Sequence, residues 1–582
     1  MQLTGNMFSS LSAILGDEIS TLPDFPAEIR APQGTLGGVS GFQVCLGQGV
    51  YTPGDQADVL VAMNSAALKV AVKNRHFHDH AILIVDTDTF TPKDLEKAQY
   101  KTDNPFTELG IKESVQIVPV ALTSLTKESL KDSGLDLKSI LKSRNMFALG
   151  LVCWLFDRPI DKAIHFLESK FKKKPQLIEP NTKVLVDGYN YGQNLALNVQ
   201  QVHVESSSSL SSSNGSKFKG QGSKGSYTSI AGNKATAWGL IAAAEKCGRR
   251  LFLGSYPITP ATDILHELSG RKDMNVMTVQ AEDEIAGVCT AIGASFAGDV
   301  AATSTSGPGL SLKSEAIGLA VMAELPLVVI DVQRGGPSTG LPTKTEQTDL
   351  LQALYGRNGE CPCPVLAAST SANCFHYAYE AVRIAMENNT PVILLTDTYL
   401  ANGTALWRIP KLAELEDIYP ARKPLSETAQ TYRKMGLEHD IQTGAISTDP
   451  ENHQLMVINR QTKIDSISVP DLEVWKGLNS LNSSNSSSSS TLLVGFGSTE
   501  GHLKAAAERL GCDVAQFNYI RPLPDNTREV LSRYKRVIVC ELNSGQFVAY
   551  LRSQFPEIKM EQYNEVKGQP FSVENICKFV HL

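Results

Sequence analysis

The stretch Leu251-Phe252-Leu253-Gly254-Ser255-Tyr256-Pro257-Ile258-Thr259-Pro260 decides the fold of this chain. Its apolar run leads straight into two prolines and a threonine, so the backbone leaves a strand and stiffens before the helical Ala261-Thr262-Asp263-Ile264-Leu265 begins. Three further strand ends follow in order: Val279-Gln280-Ala281-Glu282, Thr303-Ser304-Thr305-Ser306-Gly307-Pro308-Gly309, and Val328-Val329-Ile330-Asp331-Val332-Gln333-Arg334-Gly335-Gly336. Side chains at the carboxyl ends of strands in an α/β sheet face the ligand crevice, and each of these ends carries polar groups there. Alternation of such strands with helical stretches such as Ser371 to Asn388 predicts a doubly wound parallel sheet.

Glu284 opens a helix of small residues, Ile285-Ala286-Gly287-Val288-Cys289-Thr290-Ala291-Ile292-Gly293, whose glycines and alanines let a ligand or another backbone come close. A carboxyl group placed there, partly desolvated, can donate a hydrogen bond to a heterocycle nitrogen. Read alone, Glu282, Asp283 and Glu284 only complement a helix N-terminus. Their position between two other polar strand ends favours a ligand.

Taken together, Tyr256-Pro257-Ile258-Thr259-Pro260, Glu284 with Gly293, Thr305-Ser306-Gly307-Pro308-Gly309, and the run from Gln333-Arg334-Gly335-Gly336 to Gly340-Leu341-Pro342-Thr343 resemble the α subunits of 2-oxoacid:ferredoxin oxidoreductases. The match is to the fused γ–α type, and within it to the 2-oxoglutarate type. The resemblance implies a domain like the pyrimidine-binding domain of thiamine diphosphate (ThDP) enzymes. It places on Glu284, with Glu282 the alternative, the carboxyl group that hydrogen-bonds the aminopyrimidine. It also sets Thr259, Arg334 and Thr343 against the 2-oxoacid, and Pro257 against the cofactor.

The chain has 582 residues, 42% hydrophobic, with net charge −7, enough for three or four domains each with a core. Its pI is near 5.9. Basic residues are neither in excess nor gathered in a block, so no nucleic-acid partner is expected. No run of about twenty apolar residues appears, and no basic-then-apolar leader, so a cytoplasmic protein off the membrane is expected. The ten cysteines form no Cys-x-x-Cys, and the single close pair, Cys361-Pro362-Cys363, is too tight for ordinary zinc or cluster spacing.

Residues 1–205 read as a first α/β domain with strands at 58–63, 81–85 and 115–120 and a largely helical stretch from Asn145 to Lys172. Residues 24–30, 41–44 and 53–58 resemble the family's γ domain. That domain carries a strand and a Gly-rich turn ahead of the segment matching Thr4-Gly5-Asn6-Met7-Phe8, and the sequence starts inside that segment. Arg30 is a candidate for the distal carboxylate of a dicarboxylic 2-oxoacid. His76-Phe77-His78-Asp79-His80 reads as an exposed strand end rather than a metal site. Residues 206–227 form a Ser/Gly-rich tether. Residues 228–410 form the ThDP pyrimidine-binding-like domain, and 411–490 a mostly irregular segment ending in a second serine tract. Within it, Gly436-Leu437-Glu438-His439-Asp440 and Asp449-Pro450-Glu451-Asn452-His453 read as a polar staple rather than a metal site. Residues 491–582 resemble a transketolase C-terminal-like domain, where Gly495-x-Gly497 lacks the third glycine of a dinucleotide site.

What the sequence lacks defines its partner. The usual ThDP diphosphate-and-metal motif, Gly-Asp-Gly followed by Asn, is absent, as is any ferredoxin-type cysteine run. The resemblance therefore implies a β subunit supplying Mg2+ and an iron–sulfur cluster, in a dimer of α/β heterodimers. The implied reaction converts 2-oxoglutarate and CoA to succinyl-CoA with electrons to ferredoxin, or the reverse. Another 2-oxoacid within the family is the nearest alternative. A transketolase-like transferase or a noncatalytic scaffold subunit are the alternatives of other classes.

Overall fold

The computed structural model describes residues 2–26, 34–74, 76–195, 199–204, 226–421, 436–477 and 490–581. The chain divides into two compact units, residues 1–229 with 406–409, and residues 230–405 with 410–582.

In the first unit the helix Gln2–Ile14 is followed by two antiparallel strands, Glu18–Asp24 and Gly41–Gly47. A three-stranded parallel sheet then runs Gln56–Ala62, His76–Asp86, Gln116–Val120, matching the three apolar runs of the sequence. The stretch from 145 to 172, expected to be largely helical, holds two helices, Arg144–Leu155 and Ile160–Lys170. Asp157, at φ +50°, and Pro159 break it, because neither the left-handed backbone nor the proline ring continues a helix. His78 and His80 lie exposed on the strand that begins at His76, with His78 Nε2 3.6 Å from Asp58.

The second unit is built on a seven-stranded sheet ordered 519–521, 365–367, 391–397, 327–333, 300–305, 251–255, 276–280. All neighbours are parallel except the edge strand Tyr519–Arg521, which runs antiparallel to Val365–Ala367. Strands 251–255, 300–305, 327–333 and 391–397 are buried along their whole length, as expected where helices cover both faces of a parallel sheet. From the strand 251–255 the chain moves outward to 276–280, then returns across it to 300–305 on the other side. The order reverses between 251–255 and 300–305, so the crevice at their carboxyl ends is a topological switch point.

A five-stranded sheet, ordered 474–476, 513–517, 491–496, 536–541, 561–564, completes this unit. Phe496, Phe517 and Phe547 of this part share one apolar core with Val329, Val365 and Leu395 of the large sheet. The segment 411–480, expected to be mostly irregular, contains the sixteen-residue helix Pro450–Asp465. Asp449 caps it by accepting from Asn452 N–H at 2.8 Å, and Pro450 takes the first turn, where its missing N–H costs nothing. Gly495 and Gly497 pack against Thr499 and Gln347 rather than opening a phosphate loop.

Candidate active site

Tyr256 leaves the strand 251–255 on one side of the switch point and Thr305 ends the strand 300–305 on the other. They meet directly, Tyr256 Oη and Thr305 Oγ1 lying 2.9 Å apart. One residue deeper, Ser255 Oγ and Ser304 Oγ lie 2.8 Å apart. Beyond Tyr256 the chain turns through exposed Pro257 and Thr259, and Asn233 Nδ2 pins the turn by donating to Pro260 O at 2.8 Å.

The helix Glu284–Ala297 packs on this strand through its small residues. A Cβ at Gly254 would lie 3.0 Å from Ala291 N and collide with Gly287 O, so backbone meets backbone there. Its start is capped by Asp283, whose Oδ1 accepts from Ala286 N–H at 2.8 Å. Asp283 and Glu282 are exposed, so helix complementation is satisfied by Asp283, and Glu284 is left half-buried at the crevice. There a Cβ on Gly309 would sit 2.9 Å from Glu284 Cγ and collide with Thr305 Oγ1 and Tyr256 Oη. Gly309 is thus the floor on which Glu284, Tyr256 and Thr305 converge.

Lys313 lies one helical turn beyond Gly309, its N–H bonded to Gly309 O at 3.0 Å. Its side chain is fully buried, its Nζ donates to the main-chain oxygen of Glu284 at 2.6 Å and sits 4.9 Å from the centre of the Tyr256 ring. Sequence reading missed it, because a lysine in Ser311-Leu312-Lys313-Ser314-Glu315 reads as surface. The available signal was its spacing of four from Gly309, which puts both on one helix face.

Arg334 follows the strand 327–333 and is 7% exposed. Its Nη1 donates to Thr259 O at 2.6 Å, joining two of the residues singled out by the sequence. Its Nε is buried without a hydrogen-bond partner, and no carboxylate among the described residues lies within 4 Å of the group. Burial lowers its pKa, opposed by Tyr256, Asp349 and Glu284.

The loop after Arg334 closes on itself. Gly335 N–H donates to Lys344 O at 3.0 Å and Leu341 N–H to Gly335 O at 2.9 Å, so the chain returns with Thr343 next to the residues it left from. Gln347 then fastens the loop's far end, donating from Nε2 to Phe496 O at 2.7 Å and accepting at Oε1 from Leu542 N–H at 3.1 Å. Thr343 Oγ1 is buried and unpartnered, as are Ser306 Oγ and Thr303 Oγ1. Unpaired buried polar atoms are costly; Ser306 follows the strand 300–305, Thr303 lies within it, and Thr343 is in the loop after the strand 327–333.

Behind Arg334 lie two further acids that sequence reading did not single out. Asp331 is wholly buried with neither oxygen hydrogen-bonded, and burial, with Asp349 beside it, raises its pKa far above the usual range. Burial first, and then Glu346, push Asp349 up to about 7 against the pull of Arg334. Both favour the neutral form more than surface acids do.

Arg30 lies outside the described residues. The segment read as a polar staple between domains holds instead a cluster within itself: Glu438 accepts from Arg460 Nη1 and Nη2 at 3.1 and 3.0 Å and lies 2.6 Å from the exposed His453 Nδ1. Burial works against the Glu438 carboxylate, but the Arg460 and His453 bonds outweigh it and hold its pKa at about 2.

Comparison with known proteins agrees with this geometry. A family model described as pyruvate flavodoxin/ferredoxin oxidoreductase, thiamine diphosphate-binding, matches residues 243–469, which contain the whole crevice. A second, described as pyruvate ferredoxin/flavodoxin oxidoreductase, matches residues 1–191. The chain is 44% identical over its full length, and over 89% of the relative, to the 2-oxoglutarate oxidoreductase subunit KorA of Mycobacterium tuberculosis. It is 33% identical to the 2-oxoglutarate synthase subunit KorA of Archaeoglobus fulgidus over 55% of this chain and 89% of that one. Among solved structures it is similar to the 2-oxoglutarate:ferredoxin oxidoreductase of Magnetococcus marinus with 2-oxoglutarate, coenzyme A and succinyl-CoA bound. The TM-score is 0.78 at 28% identity, covering 100% of this chain and 96% of the other. No helix among the described residues is long and apolar enough to cross a membrane. The crevice, the two matched family models and the full-length relative agree: this chain belongs to the 2-oxoacid:ferredoxin oxidoreductase family, as its α-type subunit.

Proposed function

We propose that this chain is the α subunit of a CoA-acylating 2-oxoglutarate:ferredoxin oxidoreductase, forming succinyl-CoA with electrons to ferredoxin, or running in reverse. The observation that carries the reading is Arg334. It is a buried guanidinium with an unpartnered Nε and no carboxylate within 4 Å among the described residues, so it suits an anion from outside the chain. A 2-oxoacid carboxylate offers two acceptor oxygens to such a fork.

The crevice also suits ThDP, because the Glu284 carboxyl group and the Tyr256 and Thr305 hydroxyls meet over a floor kept open by Gly309, and Pro257 is exposed nearby in the chain. When bound, ThDP supplies the carbanion chemistry that decarboxylates the 2-oxoacid. Glu284 hydrogen-bonds the aminopyrimidine ring and holds the proton there. Pro257 packs against the cofactor. Arg334 grips the substrate carboxylate, Thr343 donates its free hydroxyl, and Thr259 is held in place through its carbonyl by Arg334. The Tyr256–Thr305 contact closes the crevice from beneath.

A β subunit would bring the metal, the diphosphate site and the iron–sulfur cluster, in a dimer of α/β heterodimers working in the cytoplasm. Supporting this, the sequence lacks Gly-Asp-Gly and clustered cysteines. Next to the crevice residues Glu284 and Lys313, the chain exposes Ile285 and Leu312, apolar side chains that a docked partner would cover.

The test is reconstitution. The purified chain alone should show no iron–sulfur absorbance and reduce no viologen dye with 2-oxoglutarate, ThDP and CoA. Adding the β subunit should restore both, with 2-oxoglutarate turned over faster than pyruvate. Activity of the isolated chain overturns the division of labour, and a preference for pyruvate overturns the substrate.

A further inference from the structure

We infer that Lys313 is a positioning residue of this site: its buried ammonium group holds the first turn of the Glu284 helix and the Tyr256 ring in register, so that Glu284 acts only while Lys313 is charged. The inference rests on the role proposed for Glu284.

Lysines are almost never fully buried unless paired, yet Lys313 has no exposed surface and no carboxylate within 4 Å among the described residues. What it touches instead belongs to the crevice. Its Nζ donates to Glu284 O at 2.6 Å, so the ammonium is anchored to the backbone of the residue whose carboxyl group faces the cofactor. At 4.9 Å from the Tyr256 ring centre it makes a cation–π contact with the residue that closes the crevice against Thr305. One side chain therefore connects the helix 284–297, the exit of the strand 251–255 and, through Tyr256, the end of the strand 300–305.

The charged and titratable groups around it come from each of these elements. Glu284, Asp283 and Cys289 face it from the helix 284–297 and favour its charged form. Tyr256 faces it from the strand 251–255, and Arg334, beyond Tyr256, adds a second positive charge within reach of Glu284. On its own segment Glu315 points to solvent. Burial outweighs the acids and brings Lys313 down to about 8.

The consequence for folding has a definite sign. The folded value lies below that of the unfolded lysine, so between the two the unfolded chain binds more protons and stability rises with pH. Below pH about 8 the buried charge opposes folding in full, and the opposition fades towards pH about 10. A scaffold lysine would stabilise the chain at neutral pH. Lys313 does the reverse while touching the reactive residue, the pattern expected of a group whose value lies in function.

The experiment compares the parent, Lys313→Met, Lys313→Arg and Glu284→Gln in the full chain assembled with its β subunit. The first readout needs neither cofactor nor turnover: thermal unfolding from about pH 6 to pH 10. Lys313→Met should unfold at or above the parent's temperature near neutrality, with the gap closing as pH rises. The second readout is hydrogen–deuterium exchange at C2 of added ThDP across the same range. The parent's rate should fall above pH about 8. Lys313→Met should lose on the order of tenfold at neutral pH and show no alkaline fall. Lys313→Arg, which stays charged, should recover most of the rate and carry it to higher pH.

A parent-like exchange rate and alkaline fall in Lys313→Met would overturn the inference. So would a lowered unfolding temperature at neutral pH with no rescue by arginine, since that is what a structural lysine gives. If Lys313→Met does not assemble, an unchanged alkaline fall in Lys313→Arg overturns it. Loss of exchange in Glu284→Gln alone sinks the role of Lys313 and spares that of Glu284. Parent-like exchange in Glu284→Gln sinks both.

Discussion

Two regions of the second unit treat buried arginine in opposite ways. In the staple, Arg460 gives both terminal nitrogens to Glu438, which also meets His453, while its Nε is buried without a partner. In the crevice, Arg334 has one carbonyl oxygen and an unpartnered Nε, while Thr343, Ser306 and Thr303 hold hydroxyls without partners close by in the sheet. Both regions carry motifs readable in the sequence, and both bring together residues far apart in it. The difference is the counter-ion. Arg460 meets a carboxylate of its own chain, whereas Arg334 meets one carbonyl oxygen and no carboxylate within 4 Å among the described residues, which leaves it able to take an anion from outside.

The comparison breaks most visibly in the staple. Arg460 is 5% exposed, so Arg460→Ala leaves Glu438 half-buried with its main partner gone. Unfolding by denaturant should show a loss of about 3 kcal/mol, the lower end for a broken buried pair. Turnover per folded molecule should be unchanged. The pH dependence follows from Glu438, whose folded value is depressed. Its contribution is present above the ordinary carboxylate range and is lost as pH falls through about 2. In Arg460→Ala that loss should begin at higher pH.

The crevice should respond the other way round. Arg334→Lys keeps the charge and loses the fork, so the assembled enzyme should lose roughly tenfold to a hundredfold in kcat/KM with its unfolding midpoint little changed. An unfolding loss as large as that of Arg460→Ala would place Arg334 among structural groups and erase the contrast. Thr343→Val should be mildest. One neutral hydrogen bond is worth about 0.5 to 1.5 kcal/mol, so kcat/KM should fall no more than roughly tenfold. Because the hydroxyl is buried and unpartnered, stability should hold or rise slightly, and a destabilised Thr343→Val would show that the hydroxyl has an internal partner.

The crevice was legible in sequence because its signals are local. Three of the strand ends announce themselves by an apolar run followed by Pro, Gly or hydroxyl residues and the fourth runs into Glu282-Asp283-Glu284, and four such polar ends in order imply a sheet whose mouths face one crevice. The roles proposed for Glu284 and Arg334 come from the family resemblance, not from the pattern itself. The helix 450–465 was not legible, because its buried side chains include Asn452 and Arg460 beside only Met456 and Ile464, so its inner face carries no apolar period. The edge strand Tyr519–Arg521 is three residues long and pairs with a segment 150 residues away, a contact no local pattern encodes. Lys313 escaped for a related reason: its identity argues for the surface, and only tertiary packing buries it.

The central claim is that Glu284 is the carboxyl group that works on the cofactor's aminopyrimidine. Exchange of the ThDP C2 proton for deuterium, measured at neutral pH in the assembled enzyme with parent and Glu284→Gln chains, tests it most directly. Glutamine keeps the size and removes the transferable proton, so subunit assembly and ThDP binding should survive while exchange slows by roughly a hundredfold or more. Equal exchange rates in the two proteins would contradict the account and move the role to Glu282 or out of this helix altogether.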